Sequence, residues 1–167
     1  IIALSLSGIY FINVLIRKKY FKIIIFSIIF LEIIFLAYWN IKNHPYQYVF
    51  FNPIFKNYAK NNFDLDYWGL SNKSALEYII EVDDSEKIKV SRAGFTSLES
   101  SLLILKKEKI NRILIVNDLK EADYVIDNYR KGWGKIKNIH LLSTKFVKLH
   151  DIKVDDIIIN TIYKKTN

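Results

Sequence analysis

The sequence predicts a membrane α-helical hairpin followed by a small α/β domain with a mixed sheet of about five strands and two helices. Two apolar runs, separated by a basic turn, fill the first forty residues and predict the hairpin. Beyond them, amphipathic segments alternate with short β-branched segments, which predicts the α/β domain. We assign residues 1–40 to transmembrane helices, 41–68 to an aromatic-rich interfacial connector and 69–167 to the α/β domain.

The two apolar runs have the composition of membrane spans. Ile1–Ile16 is almost wholly apolar, and Ile23–Trp39 is interrupted only by Ser27 and Glu32. A helix needs about 20 residues to cross ~30 Å of hydrocarbon, which the second run reaches with its interfacial ends. The first run is short, and the chain contains no methionine. We therefore expect a truncated first helix and further membrane helices upstream. A signal peptide is the alternative, but no small-residue cleavage site follows Trp39.

The charges around the runs predict an orientation. Four basic residues cluster in the turn, namely Arg17, Lys18, Lys19 and Lys22. Positively charged loops stay in the cytoplasm, so the chain after Asn40 is expected on the extracytoplasmic side. Four aromatic residues then fall where an outer aromatic belt belongs, namely Tyr38, Trp39, Tyr46 and Tyr48. The lipid bilayer is the first expected partner.

Glu32 is an acidic residue inside the second apolar run. A carboxylate there is costly unless it is paired or faces water. It could contact a proton, an ion or a substrate, or it could pair with a polar group of a missing helix. We favour the second interpretation.

The α/β domain is predicted element by element. Ser71 is expected to cap a helix to about Val82, with Ala75, Leu76, Ile79 and Ile80 on its apolar face. Thr96–Glu99 has the spacing of a capping box and would open a second helix containing Leu102, Leu103 and Leu105. The predicted strands are Lys87–Ser91, Arg112–Val116, Asp123–Asp127, and a hairpin of Ile139–Leu149 and Asp156–Lys164 turning around Asp151–Asp155. The β-α-β portion predicts at least one parallel pair.

Composition argues against several chemistries. The chain has no cysteine, its three histidines lack metal-ligand spacing, and it has no glycine-rich phosphate loop. We therefore expect no metal and no cofactor in this chain. The net charge is +8, but the basic residues after Asn40 are scattered among acids, and nucleic acid is not an expected partner. Asn72-Lys73-Ser74 matches a glycosylation acceptor triplet.

Two motifs are more specific than composition. His44–Asn52 directly follows the second apolar run, and Asp64–Ser71 opens the first helix of the domain. This pairing resembles the C-terminal region of bacterial multi-spanning, GT-C type glycosyltransferases related to the dolichyl-phosphate-mannose protein mannosyltransferases. Ala122–Ile126 and the closing Ile162–Lys164 are similar too. One departure is that family members often have a glycine-rich spacer between the motifs, whereas Pro53–Phe63 has no glycine.

The resemblance implies the C-terminal, non-catalytic portion of a membrane glycosyltransferase that uses a polyprenyl-phosphate-linked sugar and a glycan or protein acceptor. The protein would then lie in a bacterial inner or plasma membrane. Catalytic aspartates are expected in an early extracytoplasmic loop that this chain does not contain, so the chain alone should transfer no sugar. The alternative is a membrane-anchored extracytoplasmic binding or interaction domain without enzymatic activity.

The two motifs supply the candidate substrate-binding residues, His44, Tyr46, Asn52, Asp66, Tyr67 and Trp68. Aromatic faces edged by carboxylates and amides suit sugars, and the N-terminus of the following helix could attract a lipid phosphate. The competing interpretation is architectural, with aromatic anchors at the bilayer and Asp66 as a cap or turn former. We favour the architectural interpretation, in which Trp68 is a buried residue.

Overall fold

The computed structural model describes residues 2–15, 18–52, 54–130 and 144–166. The chain divides into two compact units, Ile1–Gln47 and Tyr48–Asn167, and each is described by itself.

The first unit consists of two helices. Helix α1 spans Ile2–Leu15 and α2 spans Lys19–Lys42. At 24 residues, α2 is about 36 Å long, which exceeds the hydrocarbon thickness of a bilayer. Within the described ranges it is the one helix long and apolar enough to cross a membrane, with a mean hydropathy of 2.4 over its most apolar window. Helix α1 has 14 residues, which is short of a full span.

The connector between α2 and the domain is more ordered than the sequence suggested. Pro45 stops the preceding helix, and a 3₁₀ turn follows at Gln47–Val49. No helix was predicted in the connector, residues 41–68, yet α3 forms at Lys56–Asn62. This stretch contains neither proline nor glycine, so once the chain has passed Pro53 nothing in it prevents a helical turn.

The second unit contains the predicted mixed sheet of five strands. Its elements are α4 (Ser71–Val82), β1 (Ile88–Arg92), α5 (Glu99–Leu102), α6 (Lys107–Ile110), β2 (Ile113–Ile115), β3 (Tyr124–Asp127), β4 (Phe146–Val154) and β5 (Ile157–Lys165). The strand order is β2-β1-β3-β5-β4. Strand β1 pairs in parallel with both β2 and β3, whereas β5 is antiparallel to β3 and β4. The predicted parallel pair is confirmed.

The main core lies between α4 and one face of the sheet. The apolar stripe of α4 is buried as the helical spacing predicts, with Leu76 and Ile79 fully enclosed. It packs against alternate strand residues, which include Val90, Tyr124 and Ile162. The residue between two core positions of β3, Val125, faces the other side. There it joins a smaller cluster completed by Ala93, Leu119, Ala122 and Phe146.

Two local predictions in this unit are wrong. The capping box does not form: α5 begins after Leu98 without a side-chain cap, and Thr96 is buried and accepts a hydrogen bond from Asn72 Nδ2 at 3.1 Å. Helix α5 is consequently a single turn, and Leu103 lies on the surface. The turn of the closing hairpin is also shorter than expected. Strand β4 continues to Val154, and Asp155 turns the chain with a φ of 50°. Predicted strand residues 139–143 lie outside the described residues.

The core arrangement predicts a large difference between two leucines of the same unit. Leu76→Ala should lower the free energy of unfolding by about 3 kcal/mol, because it leaves a cavity between α4 and the sheet. Leu103→Ala should change it by less than about 0.5 kcal/mol, since that side chain is exposed. Denaturant titration of both variants in the same detergent tests this. Equal losses would contradict the position of the core.

Candidate functional site

The candidate site lies at the carboxyl ends of β1 and β3. These parallel strands are neighbours, and the chain leaves β1 towards β2 but leaves β3 towards the opposite side of the sheet. Such a switch point is where open α/β sheets bind ligands. Three segments meet there, namely residues 64–70 before α4, residues 93–98 after β1, and residues 128–130 after β3.

Asp66 is the buried centre of this region. Its carboxylate accepts hydrogen bonds from the backbone N–H groups of Leu70 (3.0 Å) and Ser71 (3.3 Å). The hydroxyl groups of Ser71 and Tyr48 also donate to it. Asn128 Nδ2 donates to the Asp66 carbonyl oxygen at 2.9 Å. The same Asn128 Nδ2 lies 3.5 Å from Asp66 Oδ2, so the carboxylate accepts from donors in three different segments.

A chain of amide groups extends from this centre. A carboxylate can only accept, so the Ser71 hydroxyl donates to Asp66 and accepts from Asn160 Nδ2 at 2.8 Å. Asn160 Nδ2 also donates to Asn72 Oδ1 at 3.0 Å, and Asn72 Nδ2 donates to Thr96. Within the part of the chain that the structure describes, Asn160 Oδ1 is buried without a hydrogen-bond partner. The directions of the other bonds fix the orientation of both amides.

This network decides three points that the sequence raised. Ser71 is the first residue of α4 rather than its cap, and Asp66 satisfies the first N–H groups of the helix. Those N–H groups are therefore occupied, and the helix N-terminus does not offer them to a phosphate, which was the less favoured interpretation. Asn72 is only 1% exposed and hydrogen bonded through both side-chain atoms, so the folded domain does not present it for glycosylation.

Two glycines allow the segments to approach one another. Gly69 turns the chain between Asp66 and α4 with a φ of 69°, a conformation that glycine adopts without strain. A Cβ atom at Gly94 would lie 2.2 Å from Asn128 Oδ1. Position 94 must therefore lack a side chain if Asn128 is to reach Asp66.

Above the buried network lies a surface of exposed rings around one cation, which we name the aromatic–arginine surface: Tyr67, Trp68, Phe95 and Arg130. The rings of Tyr67 and Trp68 meet edge to face at 5.1 Å. The Arg130 guanidinium lies 3.8 Å from the centre of the Tyr67 ring and 5.2 Å from that of Phe95. Trp68 is 75% exposed, which contradicts its expected burial. This surface presents an apolar face beside a positive charge.

A cleft of about 430 Å³ includes Asp64 and Leu65, from the segment 64–70 that also carries Tyr67 and Trp68. Its lining combines amides, a carboxylate, a lysine and two aromatic rings, contributed by Lys60, Asn61, Asn62, Phe63, Asp64, Leu65, Tyr129 and Ile158. Sites for small ligands usually occupy about 300–1,000 Å³. The cleft is therefore large enough for a sugar residue, and its polar groups suit hydroxyl groups.

Tyr129 is held in place by a second polar cluster. Its φ is 57°, and its N–H donates to Asp127 Oδ1 at 2.8 Å. Thr161 donates to Asp151, so the Tyr129 hydroxyl, 2.5 Å from Thr161 Oγ1, must be the donor to Thr161. Burial raises the pKa of Asp127. Burial also opposes ionisation of Asp151, but hydrogen bonds from Lys148 and Thr161 outweigh it and lower that pKa.

The sequence-predicted residues fall into both units. His44 is exposed beside Gln47 Nε2 at 2.7 Å, and Tyr46 donates its N–H to the Asn43 carbonyl at 2.6 Å. Glu32 is exposed on α2. In the second unit, Asn52 Oδ1 accepts from the N–H of Ile54, which is a local turn. Asp66 is buried, whereas Tyr67 and Trp68 share the aromatic–arginine surface.

Most of the partners of these residues were not predicted from the sequence. Arg130, Asn128 and Tyr129 follow a strand that was predicted, so their place at its carboxyl end was a usable signal. Nothing local indicates Asn160, which lies 89 residues from Ser71. Among the described residues, no group of His, Asp or Glu side chains is placed to hold a metal ion.

Asp66 provides a stringent test of the network. Asp66→Asn keeps the size of the side chain but places an NH₂ group where a carboxylate oxygen accepts hydrogen bonds. We expect a loss of about 3 kcal/mol in the free energy of unfolding. Asp64→Asn, an exposed residue of the same motif, should lose less than about 0.5 kcal/mol. Thermal or denaturant unfolding measures the free energy of unfolding of both variants. Equal stability of the Asp66→Asn and Asp64→Asn variants would refute the role of Asp66.

The contact between Gly94 and Asn128 predicts a coupled effect. Gly94→Ala should destabilise the domain by about 1–3 kcal/mol, because the new methyl group displaces the Asn128 amide. In an Asn128→Ala background the nearest remaining contact is 3.4 Å, so the same change should have little effect. A double-mutant cycle of unfolding free energies measures this coupling. Additive losses would mean that Gly94 acts through another contact.

Comparison with known proteins does not assign this chain to a family. No family model matches the chain, and neither the curated proteins nor the solved structures gave a significant match. Function is therefore inferred from the chemistry of the residues themselves.

Proposed function

We propose that this chain is the C-terminal, non-catalytic portion of a membrane glycosyltransferase that uses a polyprenyl-phosphate-linked sugar. The observation that carries the proposal is the aromatic–arginine surface beside the cleft, in a domain that follows an apolar helix of spanning length. In this proposal the domain holds the sugar-phosphate end of a lipid or the acceptor glycan, and the catalytic residues lie elsewhere in the protein.

The anchoring part of the proposal rests on α2. Its apolar side chains, such as Phe30 and Leu31, are exposed, and none of its most apolar window is buried. Exposed apolar side chains on a helix of this length are accommodated by lipid. The basic residues around the start of α2 and the aromatic residues at its other end favour a cytoplasmic N-terminus for this helix. The domain after it then lies on the extracytoplasmic side.

The binding part of the proposal rests on complementary chemistry. The exposed Trp68 ring offers an apolar face to the C–H groups of a sugar, and the cleft offers amide and carboxyl groups to its hydroxyls. The guanidinium of Arg130 has a planar set of N–H donors that matches a phosphate. Asp66 positions Tyr67 and Trp68 from below and does not itself reach solvent.

The glycine-free spacer noted in the resemblance has a structural counterpart. Where family members often carry glycines, this chain forms α3, which contributes Lys60, Asn61 and Asn62 to the cleft. We propose that this helix shapes the sugar site in this chain.

A second function is compatible with the same surface. A membrane-anchored domain that only binds an envelope glycan needs the aromatic rings and the cleft but has no need of a lipid phosphate. Arg130 separates the two functions, because a partly buried guanidinium held over aromatic rings favours an anionic ligand. Binding of a polyprenyl-phosphate sugar, compared with the same sugar released from its lipid phosphate, distinguishes them. Equal affinity for both would favour the glycan-binding domain.

Trp68→Ala tests the binding surface directly. The variant should bind a polyprenyl-phosphate sugar at least about tenfold more weakly, because an exposed ring contacts the ligand. Its free energy of unfolding should change by less than about 0.5 kcal/mol, since little of the ring is buried. Leu103→Ala is the control for a surface residue elsewhere in the domain. Unchanged affinity with a large loss of stability would end the binding hypothesis and restore the architectural one.

A further inference from the structure

A second group of exposed apolar side chains surrounds α3, which we name the α3 patch: Ile54, Phe55, Tyr58 and Phe63. Each of these side chains is more than half exposed, and Ile54 reaches 83%. Scattered apolar residues are normal on a protein surface, but four such side chains within ten residues of one segment are a candidate interaction surface. The aromatic–arginine surface does not include any of them.

The patch is an ordered structure. Phe63 stacks on Phe51 at 6.3 Å between ring centres with 9° between their planes, and Tyr58 meets Phe63 edge to face at 6.1 Å. A hydrogen bond from Lys56 Nζ to Asp156 (3.3 Å) connects α3 to the turn between β4 and β5. The rings are therefore held on the surface by the fold, and their exposure is not the result of a frayed end.

Charge and position both favour a lipid surface as the occupant. Residues 43–63 contain Lys56 and Lys60 but no Asp or Glu. Asp64 follows this stretch directly, and Lys56 pairs with Asp156. Aromatic rings beside lysine residues are typical of the headgroup region of a bilayer, where anionic lipids attract lysine. The patch begins twelve residues after α2 ends at Lys42, so the connecting chain can span at most ~42 Å. The bilayer that α2 would cross is thus within reach.

We propose that the α3 patch inserts into the headgroup region of an anionic phospholipid bilayer and holds the second unit against the membrane surface. This inference rests on the membrane assignment in the proposed function and does not require sugar binding, although Phe63 of the patch also lines the cleft. It gives the domain a second attachment besides α2, and it would place a site for a lipid-linked sugar at the membrane surface.

The full chain in nanodiscs of mixed phosphatidylcholine and phosphatidylglycerol provides the test. The protein has no native cysteine, so single cysteines can carry an environment-sensitive NBD fluorophore. Ile54→Cys reports on the patch, and Leu103→Cys is a matched control because both side chains are 83% exposed. Phe30→Cys, inside α2, reports whether the helix itself is in the bilayer. Nitroxide-labelled lipid is the quencher.

We expect lipid quenching at positions 30 and 54 and none at position 103. Quenching at 30 alone would overturn the docking surface while leaving the membrane assignment intact, and no quenching at 30 would overturn that assignment. A blue-shifted probe at 54 without lipid quenching would show that protein, such as a second copy, covers the patch, and would refute the lipid proposal. Quenching at both 54 and 103 would refute a specific surface.

In discs of phosphatidylcholine alone, quenching at 54 should fall, and unchanged quenching would contradict the anionic preference.

Discussion

The carboxylate of Asp66 and the donors that surround it are the constraint on which the ligand-facing part of the domain depends. Asp66 accepts from Tyr48, Leu70 and Ser71, while its main chain accepts from Asn128, which lies 62 residues away. A buried carboxylate is tolerable only when it is surrounded by donors in this way. Because its partners come from the connector, the start of α4 and the end of β3, the carboxylate fixes all three together. Gly69 and Gly94 supply the space that this convergence requires.

The exposed side chains of the candidate site are positioned by this buried carboxylate. Tyr67 and Trp68 follow Asp66 directly, so fixing Asp66 also fixes the aromatic rings that face solvent. The fixed end of β3 holds Arg130 over the Tyr67 ring. It also places Tyr129 in the wall of the cleft. We therefore assign the two halves of the motif different roles, with Asp66 supporting the site and the aromatic residues contacting the proposed ligand. Preorganisation of this kind lowers the entropic cost of binding.

Prediction from the amino-acid sequence succeeded where a local pattern decides the structure. The apolar stripe of α4 and the β-branched segments of β1–β3 predicted helix, strands and a mixed sheet, since burial follows periodicity. It failed where distant contacts override local preference. Ser71 has the pattern of a cap, but a carboxylate folded back through Gly69 takes that role. Thr96 has the position of a capping-box residue in the sequence, yet its hydroxyl accepts a hydrogen bond from the buried side-chain amide of Asn72. The exposure of Trp68 and the contribution of Asn160 depend on tertiary packing, which no local pattern encodes.

Amide hydrogen exchange of Leu70 and Ser71 tests the central role of Asp66 most directly. Both N–H groups donate to its carboxylate and not to a regular helix or strand partner. If the network is closed, these amides exchange only when the domain opens, as slowly as the Ala93 amide that donates to Ile126 between β1 and β3. The predicted result is that the amides of Leu70, Ser71 and Ala93 have matching protection factors. Exchange of Leu70 and Ser71 at the rate of exposed turn amides, with Ala93 still protected, would contradict it.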